Sequence, residues 1–88
     1  MGGMNAPVPL RWQGKWFVAL YIGKSKTRKT DVWRISGQVE LGQVGWYAPW
    51  RRYAFYPNPN TIYEPDCLRD LATFCEERTR AHVAKRIP

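Results

Sequence analysis

Histidine occurs once in this 88-residue chain, cysteine twice, and Asp and Glu together only seven times. Each scarcity removes a class of chemistry. Acid–base catalysis needs a titratable group beside a reacting atom, and the sole histidine, His82, falls late in a helical segment, where a solvated side chain near a helix end accounts for it. Two cysteines and one histidine at these spacings do not assemble a tetrahedral zinc site. Asp66, Asp70, Glu76 and Glu77 follow one helical stretch, where a solvated face accounts for them. No P-loop or dinucleotide-type glycine pattern occurs. The expectation is a protein that is not an enzyme and uses no metal or cofactor. Long apolar runs are missing too. The longest, "WFVALYI" at 16–22, is strand-sized and far short of the ~20 residues that span a bilayer. The opening "MGGMNAPVPL" has neither the charged start nor the apolar segment of a signal peptide. Cys67 and Cys75, if they share a helix, stand ~12 Å apart along its axis, too far for a disulfide. Thiols packed in a reducing compartment fit them, and a cytoplasmic location is expected.

What the chain has instead is aromatic residues and positive charge. Fourteen Lys and Arg against seven Asp and Glu give a net charge of +7, which favours nucleic acid, anionic lipid or an acidic protein surface as partner. Five Trp, five Tyr and three Phe supply a single small domain with ample core. Residues 15–24 alternate with apolar side chains on both faces, a central strand. The basic stretch 24–31 is a hairpin loop, and "VWRIS" at 32–36 a second strand. Gly37 and Gly42 punctuate the turn before a third strand at 43–47. Ala48-Pro49 makes a tight connection to a fourth at 50–56, which "PNPN" ends.

From Pro65 onward Cys67, Leu68, Leu71, Phe74 and Cys75 repeat with helical spacing. Proline suits the first helical position, and Tyr63 and Leu68 have the spacing of a hydrophobic staple. The spacing predicts a helix over 65–82. The fold expected is α+β: a four-stranded antiparallel meander with one C-terminal amphipathic helix packed on one face. Residues 1–12 read as a flexible lead, 13–82 as the domain and 83–88 as a basic tail.

The run 41–77 carries Leu41, Gly42, Val44, Trp46 and Tyr47, then Trp50, Arg51, Tyr53, Phe55 and Pro57. Thr61 and Tyr63 follow, and a helix start with Cys67, Leu68, Asp70, Leu71 and Phe74. This pattern resembles a group of small, uncharacterised bacteriophage and prophage proteins. The resemblance implies a phage or mobile-element origin and action inside a bacterial host cell. It implies no particular activity, and Glu64-Pro65 and the longer basic segment depart from it.

A helix covers only one side of a sheet, and side chains alternate between sides. With Trp16, Val18, Leu20, Ile22, Trp33, Ile35, Val44, Trp46, Tyr53 and Phe55 toward the helix, the other side holds Phe17, Tyr21, Arg34, Gln43, Gly45, Tyr47, Trp50, Arg52 and Tyr56. Arg51 falls on the core side by parity unless the chain twists after Pro49 or places it at the rim. Rings and guanidinium groups on an open sheet suit single-stranded nucleic acid, whose bases stack and whose phosphates take the charge. The residues expected to bind are Lys24, Lys26, Arg28, Lys29, Arg34, Tyr47, Trp50, Arg51, Arg52 and Tyr56, with Arg78, Arg80, Lys85 and Arg86 adding charge. Two other readings stand beside this one. The same residue types dominate protein–protein hot spots, which fits a phage inhibitor or adaptor that blocks a host protein such as a defence nuclease complex. A homodimer burying both open faces is the third.

Overall fold

The computed structural model describes residues 9–86, with side chains described through residue 84. The elements are β1 (Arg11–Gln13), β2 (Val18–Lys24), β3 (Asp31–Ser36), β4 (Glu40–Tyr47), β5 (Arg52–Pro57) and α1 (Pro65–Arg86). They form one antiparallel sheet in the order β1-β2-β3-β4-β5, an open meander of five strands, with α1 across one side. The α+β architecture agrees with the sequence reading, but the strand number does not: β1 is an additional edge strand. Its register sets Trp12 opposite Ala19, and the ring of Trp12 packs on Phe17 and Phe74. The Leu10 carbonyl also accepts the Tyr21 amide, and the Pro9 carbonyl accepts the Trp33 indole N–H at 3.1 Å. Residues 9–12 thus belong to the folded domain; the remainder of the expected flexible lead, 1–8, lies outside the described residues.

The core is built around Trp33, which is fully buried. Its ring meets Tyr21, Tyr53 and Phe74 edge-on at centroid distances of 5.4–5.7 Å, the geometry favoured by the ring quadrupole. The Arg78 guanidinium lies 5.5 Å from the same ring. Ile35, Val44, Ala19 and Phe17 complete the sheet side of the core, and Cys67, Leu71 and Phe74 the helix side.

Helix α1 starts where the sequence predicts. Glu64 caps it: its carbonyl accepts the Leu68 amide and its carboxylate accepts the Cys67 amide at 2.6 Å, satisfying a donor that a helix start leaves orphaned. The apolar stripe differs from expectation in one member, because Leu68 is half exposed. The Tyr63 ring packs on Phe55 and its hydroxyl donates to the Leu41 carbonyl at 2.9 Å. The helix runs through Arg86, four residues past the expected end, so most of the expected tail is helical. Thr79 ties the helix to the sheet's edge. Its hydroxyl accepts the Tyr53 amide at 2.9 Å and donates to the Cys75 carbonyl at 2.8 Å. His82 is half-buried rather than fully solvated, its ring 4.1 Å from that of Trp46. Both cysteines are free thiols. Burial pushes the Cys75 thiol up to about 11, with Glu76 adding to the shift.

The main correction concerns β2. Ala19 pairs with Ile35 and Tyr21 with Trp33, so Phe17, Ala19 and Tyr21 face the helix. Val18 and Leu20 take the other side. A slip of one residue reverses every side chain of a strand, and here it exchanges the expected rings of Phe17 and Tyr21 for aliphatic groups on the open side.

Candidate functional site

The helix-free side is read off the strand registers as rows. Leu20, Arg34, Gln43 and Tyr56 form one row across β2 to β5. Gly45 and Ala54 pair in the next, with Val32 close to Gly45, and Tyr47 and Arg52 pair beyond them. The aliphatic groups lie on the β2 side of this surface and the rings on the β4–β5 side. The sheet is open, so no strand from the far edge covers it.

Three rings of the expected set come together there. Tyr47 meets Trp50 edge-on at 4.7 Å and Tyr56 at 6.5 Å. Trp50 is 65% exposed and Tyr56 45%. Trp50 reaches this position because Ala48–Trp50 form a single turn of 3-10 helix with Pro49 inside it. Arg51 ends that turn in the left-handed region, at φ 53°. Its core-side parity therefore never applies, and its side chain is exposed at the rim. Arg52 follows, with Nε donating to the Trp50 carbonyl at 3.3 Å. Burial raises the Tyr56 hydroxyl above its ordinary pKa, and Tyr47 adds to the shift. Gly42 makes the close pairing of β4 and β5 possible. At φ 153° a Cβ there would overlap the Tyr56 carbonyl.

The cations divide into two groups. Lys26, Arg28, Lys29 and Arg51 are exposed and make no ion pair among the described residues. Arg34 lies 3.6 Å from the Glu40 carboxylate. Lys24 differs from these in being paired: its ammonium donates to Asp31 at 2.9 Å, beside the Tyr21 hydroxyl donating to the same oxygen, while half of its side chain stays exposed. That bond raises the Lys24 pKa. Asp31 is buried, so the pairing is structural and closes the base of the β2–β3 hairpin. Burial, with the same carboxylate adding to it, pushes Tyr53 up to about 12. Arg78 is half-buried on α1, with its guanidinium 5.5 Å from the Trp33 ring. Arg80 is exposed on α1, and the side chains of Lys85 and Arg86 lie outside those described.

The hairpin turn is ordered by the Ser25 amide donating to Thr30 at 2.7 Å and the Lys29 amide to Ser25 at 3.1 Å. It leans over the helix-free side. Ser25, Thr27, Arg28 and Thr30 from the turn, with Val32, Gln43, Gly45, Trp46 and Tyr56 from the sheet, line a half-open cavity of about 260 Å³. Sequence reasoning put Gln43 and Gly45 on this side but did not single them out. The available signal was Gly45 itself, a residue without a side chain midway between the ring positions of this surface.

Charge is distributed unevenly along the chain. Through residue 62, nine Lys and Arg stand against Asp31 and Glu40; from residue 63 onward five basic residues meet five acidic ones. The whole excess therefore belongs to the sheet and its turns, while the helical segment is neutral. Among the described residues no three His, Cys, Asp or Glu side chains converge as metal ligands, and no helix is long and apolar enough to cross a membrane.

These features define a small basic α+β protein with one covered and one open sheet face. No family model matches the chain, and no solved structure does. Among curated proteins it is similar to an uncharacterized 9.3 kDa protein of Acholeplasma phage L2, 27% identical over 70 residues, which are 80% of this chain and 77% of that protein. The chain thus resembles small uncharacterised phage proteins, and the similarity assigns no activity.

Proposed function

We propose that this is a non-enzymatic protein of a phage or mobile element that binds single-stranded nucleic acid on its helix-free sheet face inside the host cell. The observation that carries the reading is the contiguous cluster of half-buried Tyr47 with exposed Trp50 and Tyr56, next in the chain to the unpaired cations Arg51 and Arg52. Bases stack on such rings at ~1–3 kcal/mol each with little regard to sequence, and Lys and Arg neutralise the backbone. The rings belong to the stretch of the chain, residues 1–62, that holds all of its surplus charge, and a basic excess of this kind is the electrostatic footprint of a polyanion partner. Fluorescence anisotropy of a labelled 12-mer at low salt tests it. Binding should weaken about tenfold with Trp50→Ala and again with Tyr56→Ala. Affinity that survives both substitutions leaves only generic attraction between charges and refutes the stacking surface.

A second reading is favoured by the aliphatic half of the same face. Leu20 is 37% exposed there, and aliphatic groups beside rings and arginines also suit a protein partner. In that reading the chain is an inhibitor or adaptor docking on an acidic surface of a host protein such as a defence nuclease complex. Retention of one stoichiometric protein from nuclease-treated host lysate, lost on Leu20→Glu, distinguishes it. A doubled mass in sedimentation at micromolar concentration would instead show two copies sharing the face.

A further inference from the structure

We propose that the cavity between the β2–β3 turn and the sheet is a pocket for one unstacked base of the bound strand, an inference that rests on the nucleic-acid reading above. Its size, its walls and its free polar groups agree. About 260 Å³ is below the ~300–1,000 Å³ of pockets that hold a drug-sized ligand, which leaves room for a planar ring system but not for a whole nucleotide. Tyr56 supplies an aromatic wall, and Val32 an apolar one. Gly45 keeps the floor open: a Cβ built there comes within 3.9 Å of the Tyr56 ring and 4.0 Å of Val32, so larger side chains at this position must grow into the space between them.

The polar lining suits a heterocycle with donors and acceptors along its edge. The Ser25 and Thr30 hydroxyls bond to each other at 3.2 Å. The Gln43 amide and the Thr27 hydroxyl, in contrast, have no hydrogen-bond partner among the described residues. An amide presents a donor and an acceptor side by side, the pattern that base edges complement. Arg28 lines the same cavity and Lys26 and Lys29 share its turn, so the sugar–phosphate on either side of an inserted base would cross the most basic segment of the protein. Tyr47 and Trp50 lie beyond Tyr56 and take the neighbouring bases. The turn therefore acts as a roof for one base and a clamp for its phosphates.

The test uses strands of abasic spacer that carry a single central base, as DNA and as RNA, with the full-length protein. One base should raise affinity about tenfold over the all-abasic strand, and that gain should vanish in Gly45→Val, which fills the pocket. Gln43→Ala should leave the gain but level the differences among the four bases. Thermal melting of each variant, with Gly45→Ala as the milder substitution, controls for folding. If ordinary strands bind but a single base adds nothing, or its gain persists in folded Gly45→Val, the pocket is refuted and the stacking surface stands. If no strand of any kind binds, both are refuted together.

Discussion

Salt dependence provides the most demanding test of how the charges are used. Lys26, Arg28, Lys29, Arg51 and Arg52 are the five exposed cations of the turn and rim that no carboxylate neutralises, Arg34 being set aside for its contact with Glu40. If each neutralises one phosphate of a single strand, log affinity falls with log salt at a slope of about −0.7 per contact, hence about −3.5 in all. Raising monovalent salt from ~50 to ~200 mM then weakens binding about a hundredfold. Replacing Lys26 and Lys29 together by Ala should reduce the slope to about −2.1 and the loss to about twentyfold. Trp50→Ala, which removes a ring and no charge, should lower affinity at every salt concentration while leaving the slope unchanged. Arg69→Ala with Arg80→Ala, exposed on the helix, serves as the control of equal charge. Anisotropy titrations of a labelled 12-mer at four salt concentrations measure all of these. If the helix pair flattens the slope as much as the turn pair does, the strand is not bound to the open face, and the reasoning from burial and pairing fails.

Other outcomes follow from the same contacts. Ala19→Glu places a charge in the core and should cost about 3–5 kcal/mol, whereas Leu20→Glu, beside Arg34 on the open side, should cost no more than about 1 kcal/mol; urea unfolding that reverses this order would overturn the β2 register. Lys24→Met should lower stability by about 1.5–3 kcal/mol through the loss of its bond to Asp31 while leaving the salt slope unaltered, so a flattened slope would place Lys24 on the binding surface. Alkali should destabilise the fold. Native Cys75 and Tyr53 hold their protons to about 11 and about 12, against ordinary values of 9.0 and 10.0. Above pH 9 the native state therefore binds more protons than the unfolded chain, and stability falls as pH rises through 9–12. Denaturation midpoints at pH 8 and 10.5 check this, Tyr53→Phe should flatten the decline, and an unchanged midpoint contradicts it.

Most of the sheet and nearly all of the helix were legible in the sequence because their patterns have one solution. "VWRIS" and "VGWY" alternate apolar and polar or small positions, which fixes their faces, and Pro65 marks a helix start that Glu64 caps. The run 16–22 has no such asymmetry: Trp16, Val18 and Leu20 are as apolar as Phe17, Ala19 and Tyr21. Its face is decided by pairing with β3, information that resides in another strand. β1 was illegible for a different reason. Three residues are too few to show a period, and Trp12 joins the core through Phe17 and Phe74, contacts remote in sequence. At the candidate site, Tyr47, Tyr56 and Arg52 were legible from parity, whereas Trp50 and Arg51 lie where a 3-10 turn breaks the alternation. Lys24 looked like its basic neighbours until the fold brought Asp31 beside it. The cavity was hidden in the chain because it arises where a turn folds back over a glycine.

The separation of a +7 sheet portion from a helical segment of zero net charge has a kinetic consequence. A molecule built this way carries a large electric moment, so the field of a polyanion exerts a torque on it before any atoms touch. It would arrive with the strands leading and the helix trailing. Productive encounters would then make up a larger share of collisions than chance orientation allows, and that advantage would fade as added ions shorten the reach of the field.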